Sequence, residues 1–280
     1  YRGLLSDYKV LILAVDEGHV SGAVQKLLAD EQNELKLEDA TKIVGCWKAL
    51  SKRGLKNDIL DDPSEMRRAV AFCRDIKTSK KIAEFFPEVV DAYIKAEEQN
   101  LEDPLECEVK HVDGTFNSTA RKTLLNWLDK EVPKETNACN ILSNARCLSE
   151  GVDVPSLDAI LFLNPRKSQI DIVQSVGRVM RRSPDKKRGY IILPIGIPSG
   201  VSEEKALDDN ERYRAVWQIL QALRSHDDSF DALINKIDLG VDVSSKMEVV
   251  AVTHTLRGGK KEKDEEGPGI GEGGEVTEDN

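Results

Sequence analysis

The 280-residue chain lacks an apolar run that approaches the ~20 residues of a membrane-spanning helix. Its N-terminus lacks the basic-then-apolar layout of a signal peptide. The five cysteines are odd in number and include no Cys-x-x-Cys pair, which argues against a zinc site and for a reducing compartment. We therefore expect a cytoplasmic protein without a membrane partner.

Two phosphate-binding signatures are also missing. The chain contains no Gly-x-x-x-x-Gly-Lys-Ser/Thr loop, whose backbone N–H groups and lysine cradle the phosphates of ATP. No Gly-x-Gly-x-x-Gly follows a predicted strand, which argues against a dinucleotide or nucleotide-sugar enzyme. Because the chain also begins at Tyr1 without an initiator methionine, we expect a piece of a longer protein.

The formal net charge of −10 is unevenly distributed along the chain. Residues 166–188 carry eight basic and two acidic side chains, so this segment has a local charge of +6. Phosphate binding depends on such a local field rather than on the total charge, although Lys186 and Lys187 are expected to be a solvated helix flank. Residues 257–280 are rich in Gly and Glu without apolar periodicity, so they are predicted to be a disordered acidic tail.

Apolar runs of strand length alternate with segments of helical periodicity over most of the chain. Strands are predicted at 9–15, 68–73, 107–112, 138–143, 159–163, 190–193 and 246–253. Helices are predicted at 20–33, 40–52 (with Asp39 as cap), 79–98 (interrupted or bent at Pro87), 118–130, 168–182 and 203–224. This alternation predicts an α/β fold with three layers, in which a mainly parallel sheet carries helices on both faces and binds ligands at the carboxyl ends of its strands.

Two motifs follow each other in the second half of the chain. Residues 143–155 read Ser-Asn-Ala-Arg-Cys-Leu-Ser-Glu-Gly-Val-Asp-Val-Pro, and residues 174–181 read Gln-Ser-Val-Gly-Arg-Val-Met-Arg. Arg178 and Arg181 are three residues apart and share a face of the predicted helix. Planar guanidinium groups on such a face can stabilise the charge of a γ-phosphate in transfer. Asp153 lies where a carboxylate can hold a ribose hydroxyl.

The two motifs resemble motifs V and VI of the superfamily 2 helicases and translocases. That family couples ATP hydrolysis to movement on nucleic acid, with the nucleotide between two RecA-like lobes. The resemblance implies that residues 1–256 are the second lobe and that Arg178 and Arg181 reach the γ-phosphate. It also implies that Gly151 and Asp153 face the nucleotide, while Gln174 couples the two lobes. ATP and Mg²⁺ would be held mainly by the first lobe of the same polypeptide.

Other predicted strand ends resemble the nucleic-acid-binding elements of the same family. Residues 71–75 (Ala-Phe-Cys-Arg-Asp) resemble motif IV, and residues 111–115 (His-Val-Asp-Gly-Thr) with Arg121 resemble a strand, a glycine turn and a helix. The resemblance implies backbone contacts to nucleic acid from Arg74, Thr78, Ser79, Gly114, Ser143 and Asn144. For Thr78, Ser79 and Ser118 the alternative is ordinary helix capping.

Residues 16–19 (Asp-Glu-Gly-His) resemble the box in which an acidic pair holds Mg²⁺. A working nucleotide lobe needs a phosphate-cradling loop upstream of that box, and this chain has none. We therefore expect Asp16 and Glu17 to end the first strand of the second lobe, and we predict no metal ligands.

The resemblance extends further to helicases related to restriction-type DNA translocases, including single-chain restriction-modification enzymes. Residues 13–17 and 45–47 fit that group, and Gln174 replaces the histidine that is usual in RNA-unwinding relatives. The prediction is the C-terminal lobe of an ATP-hydrolysing DNA helicase or translocase, monomeric and inactive alone. The alternatives are an RNA-directed helicase lobe and a non-enzymatic RecA-like binding module, against which the intact Arg178 and Arg181 argue.

Overall fold

The computed structural model of the protein describes residues 7–30, 35–53, 62, 66–97, 101–130, 132–133, 135–145, 157–164, 177, 186–199, 210–225 and 247–252. The strands are β1 (Asp7–Asp16), β2 (Arg68–Phe72), β3 (Glu106–Val112), β4 (Ala138–Asn144), β5 (Ala159–Phe162), β6 (Arg188–Ile197) and β7 (Met247–Val252). The helices are α1 (Glu17–Ala23), α2 (Gln25–Ala29), α3 (Leu37–Leu50), α4 (Ile76–Glu97), α5 (Ser118–Asp129) and α6 (Asn210–Arg224).

The seven strands form one sheet in the order β3-β4-β2-β5-β6-β1-β7, and every neighbouring pair is parallel. Strands of such a sheet are covered on both faces, so they are apolar along their whole length rather than at alternate positions. β1 shows this pattern, because it is buried from Tyr8 to Val15. The predicted α/β fold with a parallel sheet is confirmed.

Helices cover both faces of the sheet and create two apolar cores. On one face α3 and α4 contribute Trp47 and Phe86, both fully buried. On the other face α5 and α6 contribute Leu128 and Leu223. The three predicted layers are therefore present, with one apolar core on each face of the sheet.

Several helix boundaries differ from the sequence prediction. The segment predicted as one helix over 20–33 forms α1 and α2, which are separated at Val24. Asp39 is not a cap, because α3 begins at Leu37 and Asp39 is buried in its first turn, where a carboxylate still suits the helix dipole. Pro87 lies inside α4, which continues to Glu97, so the proline does not interrupt the helix.

The edge strand β7 is held to β1 by a buried ion pair. Lys9 Nζ lies 2.7 Å from Glu248 Oε2, and the lysine side chain is 1% exposed. This contact fixes a strand that the sequence predicted at 246–253. None of the helices that the structure describes is both long enough and apolar enough to cross a bilayer.

Candidate nucleic-acid interface

The carboxyl ends of β2, β3 and β4 lie side by side because these strands are neighbours in the sheet. The six residues predicted to contact nucleic acid all fall at these strand ends or in the first turn of α4. We call this region the carboxyl-edge corner; it comprises Cys73, Arg74, Thr78, Ser79, His111, Asp113, Gly114, Thr115, Ser143 and Asn144. Cys73 and Asn144, the first and last of these residues in the sequence, are about 70 positions apart. They come together because β2, β4 and β3 are neighbours in the sheet.

A chain of hydrogen bonds joins the three strand ends. Ser79 Oγ lies 2.6 Å from Ser143 Oγ and 2.7 Å from His111 Nδ1. His111 Nε2 lies 2.9 Å from Asp113 Oδ2. The chain links α4, β4 and β3 through side chains that are largely shielded from solvent, so it fixes these elements relative to one another.

Asp113 ends this chain of hydrogen bonds in the turn after β3. Its Oδ1 atom accepts the backbone N–H of Thr115 at 2.8 Å and the Thr115 hydroxyl at 2.6 Å. Two hydrogen bonds lower the pKa of Asp113 to about 2: the larger effect comes from the Thr115 hydroxyl and the next from the His111 ring. The carboxylate therefore stays ionised at neutral pH. The motif over residues 111–115 contains both His111 and Asp113, and a His-x-Asp pair at a strand end is the sequence signal for this network.

Cys73 lies at the other end of the network. Its Sγ atom is 3.5 Å from Ser143 Oγ, and the side chain is buried. Burial raises the pKa of the Cys73 thiol to about 11, outweighing its hydrogen bonds with Ser143 and Ser79. The thiol is therefore protonated at neutral pH and acts as a packing group rather than a nucleophile.

Four of the residues predicted to contact nucleic acid are buried. Ser79, Ser143 and Asn144 are 0% exposed, and Thr78 is 3% exposed. The two serine hydroxyls bond each other, and Asn144 Nδ2 donates to the carbonyl oxygen of Ala71 at 3.0 Å. These side chains hold the strand ends in place in this structure, and their contact with nucleic acid stays a prediction.

Among the residues predicted to contact nucleic acid, Arg74 and Gly114 are the exposed ones. Arg74 Nε donates to Thr78 Oγ1 at 3.0 Å and to Asp75 Oδ2 at 3.2 Å, while 42% of the arginine side chain is exposed. These bonds anchor the guanidinium and leave its exposed fork open towards a phosphate. A Cβ atom added to Gly114 would meet no described atom within 4 Å, so the backbone there is open to approach.

The structure shows which residues cap the helices near the corner, for which Thr78, Ser79 and Ser118 were the candidates. The carboxylate of Asp75 accepts the backbone N–H of Thr78 at 2.7 Å, and Asn117 is the N-cap of α5 through its bond to the Ala120 N–H. Capping is therefore performed by Asp75 and Asn117. The capping interpretation of Thr78, Ser79 and Ser118 is wrong.

Asp16 caps α1. Its side chain accepts the backbone N–H groups of Gly18 and His19 and the hydroxyl of Ser199. Burial alone would raise the pKa of Asp16, but the bonds from Ser199, His19 and Gly18 outweigh it and lower the pKa.

Among the described residues, no three His, Cys, Asp or Glu side chains converge closely enough to hold a metal ion.

The predicted nucleotide-facing residues lie outside the described residues. They are Gly151, Asp153, Gln174, Arg178 and Arg181. Their neighbour Gly177 is described, and it is helical and exposed, with open space around an added Cβ. The roles of the five residues stay predictions.

Lys186 departs from the sequence expectation. It is half-buried in the segment that precedes β6, and its amine donates to the Leu157 carbonyl oxygen. Burial lowers the pKa of Lys186 to about 8. The interpretation of Lys186 as a solvated helix flank is therefore wrong, because its side chain tethers β6 to the segment before β5.

The fold and the corner define the class of this protein as a RecA-like α/β lobe. Residues 54–183 match the helicase conserved C-terminal domain. This chain is a superfamily 2 helicase C-terminal lobe, related to the restriction-type translocases.

The chain is similar to two restriction enzymes of known structure and to a viral protein. The structure of the ATP-dependent Type ISP restriction-modification enzyme LlaBIII bound to DNA is 41% identical, covers 91% of this chain and superposes with a TM-score of 0.78. A nuclease-deletion mutant of the Type ISP enzyme LlaGI, in complex with a DNA substrate mimic, is 32% identical over 88% of the chain with a TM-score of 0.49. A probable helicase of African swine fever virus is 28% identical over 178 residues, or 63% of the chain.

The chain spans a small part of each relative. It covers 18% of the viral protein, 16% of LlaBIII and 12% of the LlaGI mutant. The shared region is therefore one part of each longer relative.

Proposed function

We propose that this chain is the second RecA-like lobe of an ATP-dependent DNA translocase or helicase of the restriction-modification type. The observation that carries the proposal is the 41% identity and the TM-score of 0.78 to an ATP-dependent restriction enzyme whose structure contains DNA. An identity of 41% over 91% of the chain supports a shared function as well as a shared fold.

The lobe contributes arginine fingers to ATP hydrolysis. Arg178 and Arg181 approach the γ-phosphate when the two lobes close, and Gly151 and Asp153 face the nucleotide. Gln174 helps to couple the two lobes. ATP and Mg²⁺ supply the transferable phosphoryl group and its counter-charge, and they are held mainly by the first lobe. The Asp16 carboxylate is used as the N-cap of α1, which supports the interpretation that Mg²⁺ is held by the first lobe and not by this one.

DNA runs over the carboxyl-edge corner. The exposed guanidinium of Arg74 and the open backbone at Gly114 meet phosphates, while the Ser79–Ser143 pair fixes the strand ends beneath them. The DNA present in the LlaBIII structure and the glutamine at position 174 favour DNA over RNA.

The test of this function is the substitution Arg181→Ala in the protein that contains both lobes. Turnover is expected to fall by a large factor, on the order of 10³, while ATP and DNA affinity change by only a few-fold. The guanidinium meets the γ-phosphate mainly in the transition state, so its loss changes the rate more than ground-state binding. Arg181→Lys is expected not to restore turnover, because an ammonium group lacks the planar fork.

The matched control is Arg182→Ala. Position 182 is one residue further round the predicted helix and faces elsewhere, so DNA-stimulated ATPase activity is expected to stay near wild type. Equal losses from the two substitutions would identify a generic basic patch and overturn the finger assignment. DNA binding without any nucleotide turnover in the wild-type protein would instead establish a binding module.

A further inference from the structure

Two cysteines face each other across neighbouring strands of the sheet. Cys107 lies on β3 and Cys139 on β4, and the parallel register of these strands makes the two residues direct partners. Neighbouring strands lie about 4.8 Å apart, and a disulfide needs Cα atoms that are roughly 4.4–6.8 Å apart. The side chains of directly paired residues point to the same face of a sheet. The backbone therefore already places these two thiols as a disulfide requires.

Both side chains lie on the face of the sheet that α3 and α4 cover. Cys139 is part of the apolar core on that face, and Cys107 packs against the same core. Cys139 is 0% exposed. Burial, and next the hydrogen bond with the Cys107 thiol, raise the pKa of Cys139 well above its ordinary value. The two thiols therefore interact with each other in the reduced protein.

Cys107 is the accessible member of the pair. Among the cysteines that the structure describes, Cys46, Cys73 and Cys139 are buried, and Cys107 is partly exposed. The reason is the place of β3, which is the outermost of the described strands on its side of the sheet. A small oxidant can therefore reach Cys107 from the edge of the sheet, whereas the three buried thiols are shielded from it.

We propose that Cys107 and Cys139 form a reversible disulfide when the protein meets a peroxide. The Cys107 thiolate attacks hydrogen peroxide, the O–O bond breaks, and a sulfenic acid forms at Cys107 with release of hydroxide. The Cys139 thiol then loses its proton and attacks Cys107 Sγ, and the sulfenic oxygen leaves as water. In sum, two thiols and one hydrogen peroxide give one disulfide and two waters. Cys139 needs no access to solvent, because its reaction partner is its neighbour in the strand register.

The disulfide ties the outer strand to the rest of the sheet. Every residue of β3 before Val112 is exposed or half-buried, so little packing holds this strand in place. The cross-link closes a loop of about 30 residues and lowers the entropy of the unfolded chain. His111 and Ser143 are paired in the same register, four positions further along each strand. The bond therefore fixes two strands whose ends form the carboxyl-edge corner, without using a side chain of the corner.

The test treats the full chain with increasing hydrogen peroxide, blocks the remaining thiols with an alkylating reagent, and measures the masses of the protein and its peptides. The oxidised wild type is expected to lose about 2 Da, the mass of two hydrogen atoms, and to yield a peptide that joins Cys107 to Cys139. A dithiol reductant is expected to restore both free thiols. The midpoint of thermal unfolding is expected to be several degrees higher for the oxidised than for the reduced protein.

Single variants separate the roles of the two thiols. In Cys139→Ser, Cys107 is expected to stop at the sulfenic acid, which a cyclic diketone probe traps, because the second thiol is missing. In Cys107→Ser, Cys139 is expected to remain a free thiol, because it is buried. The matched control is Cys46→Ala: Cys46 is buried in the same core but belongs to α3, and its loss is expected to leave the disulfide unchanged.

Three results would overturn the proposal. The first is a peroxide-treated wild type in which Cys107 and Cys139 are not joined. The second is a disulfide that joins either residue to a different cysteine, and the third is an oxidised protein that unfolds at or below the midpoint of the reduced one. Circular dichroism checks the fold of each variant, and if a variant does not fold, the peptide map and the unfolding midpoint of the wild type decide the outcome. These measurements use neither ATP nor nucleic acid, so they are independent of the proposed function.

Discussion

At the scale of single residues, one carboxylate completes the carboxyl-edge corner. Asp113 joins the turn after β3 to the Ser143–Ser79–His111 chain, and each of its two oxygens has a protein donor or a ring nitrogen within 2.9 Å. A buried group with all of its bonds satisfied stabilises one arrangement of its neighbours and penalises others. The hydrogen bonds of Asp113 therefore favour one arrangement of the corner.

Asp113→Asn is expected to destabilise the protein by about 1–3 kcal/mol at pH 7, because the amide is uncharged and replaces one of the two acceptor oxygens by a donor. The pKa of Asp113 in the fold is about 2, below the ordinary value of 3.8. Ionised Asp113 therefore stabilises the fold above about pH 4, and that contribution is lost as the pH falls through about 2. Urea unfolding at several pH values measures the free energy of unfolding. The difference in this free energy between wild type and Asp113→Asn is expected to become smaller as the pH falls from about 4 to about 2.

The control for this experiment is Asp91→Asn. Asp91 forms an exposed ion pair with Lys95 on the surface of α4, and its side chain is 62% exposed. Its loss is expected to change the free energy of unfolding by less than about 1 kcal/mol. A constant difference between wild type and Asp113→Asn from pH 7 to pH 2 would contradict the role given to the Asp113 charge.

At the scale of elements, a glycine sets how closely α3 approaches the sheet. A Cβ atom at Gly45 would lie 2.9 Å from Val15 Cγ2 and 3.0 Å from Pro194 Cβ. Both neighbours belong to central strands and cannot retreat without disturbing the sheet. This close packing holds the N-terminal end of α3, with Lys42, beside the ends of β5 and β6.

Gly45→Ala is expected to destabilise the fold by about 1–3 kcal/mol, because the added methyl group overpacks the contact between α3 and the sheet. Gly22→Ala in α1 is the matched control: an added Cβ there meets nothing described within 4 Å. The control is expected to be neutral or to stabilise by up to about 1 kcal/mol through helix propensity. Thermal unfolding of the two variants distinguishes these effects, and a stabilised Gly45→Ala would show that α3 has room to move.

The strand ends also predict how nucleic acid binds. Few phosphate contacts imply a shallow dependence on salt, with a slope of log affinity against log salt on the order of −2 to −4. Arg74→Ala is expected to reduce the magnitude of that slope by about 1, because it removes one phosphate contact. Fluorescence anisotropy with a labelled oligonucleotide at several salt concentrations measures it.

Lys95→Ala is the control for Arg74. Lys95 is in the last turn of α4, whereas Arg74 precedes the first turn, so the two charges lie at opposite ends of that helix. The slope is expected to stay unchanged in Lys95→Ala. Binding that ignores salt in the wild type, or equal effects of the two substitutions, would argue against phosphate contacts at the corner.

At the scale of the whole molecule, the absence of a phosphate-cradling loop from the sequence predicts that this chain alone neither hydrolyses ATP nor binds it tightly. Phosphate release with and without nucleic acid, together with equilibrium dialysis of ATP, measures both properties. Turnover that nucleic acid stimulates and Asp16→Ala abolishes would contradict the capping role of Asp16 and the assignment as a second lobe.

Much of the architecture could be predicted from local patterns. All seven strands were predicted, and β1, β2, β5 and β6 left a continuous apolar signal because these inner strands are buried on both faces. Helix ends were predicted less well, since Asp39 and Asp75 look alike in sequence and only Asp75 meets free backbone N–H groups at a helix start. The resemblance identified the motif residues of the corner. It did not predict that Ser79, Ser143 and Asn144 are buried.

The sequence by itself determined the α/β class, the parallel sheet and the motifs that name the family, because each depends on residues that are close together along the chain. The tertiary structure decided what those residues do. It buried Ser79 and Ser143 against each other, ended their network at Asp113, and placed Lys42 beside Asn164 across 122 positions. These pairings follow from strand order and helix packing, which depend on long-range contacts that no local pattern records.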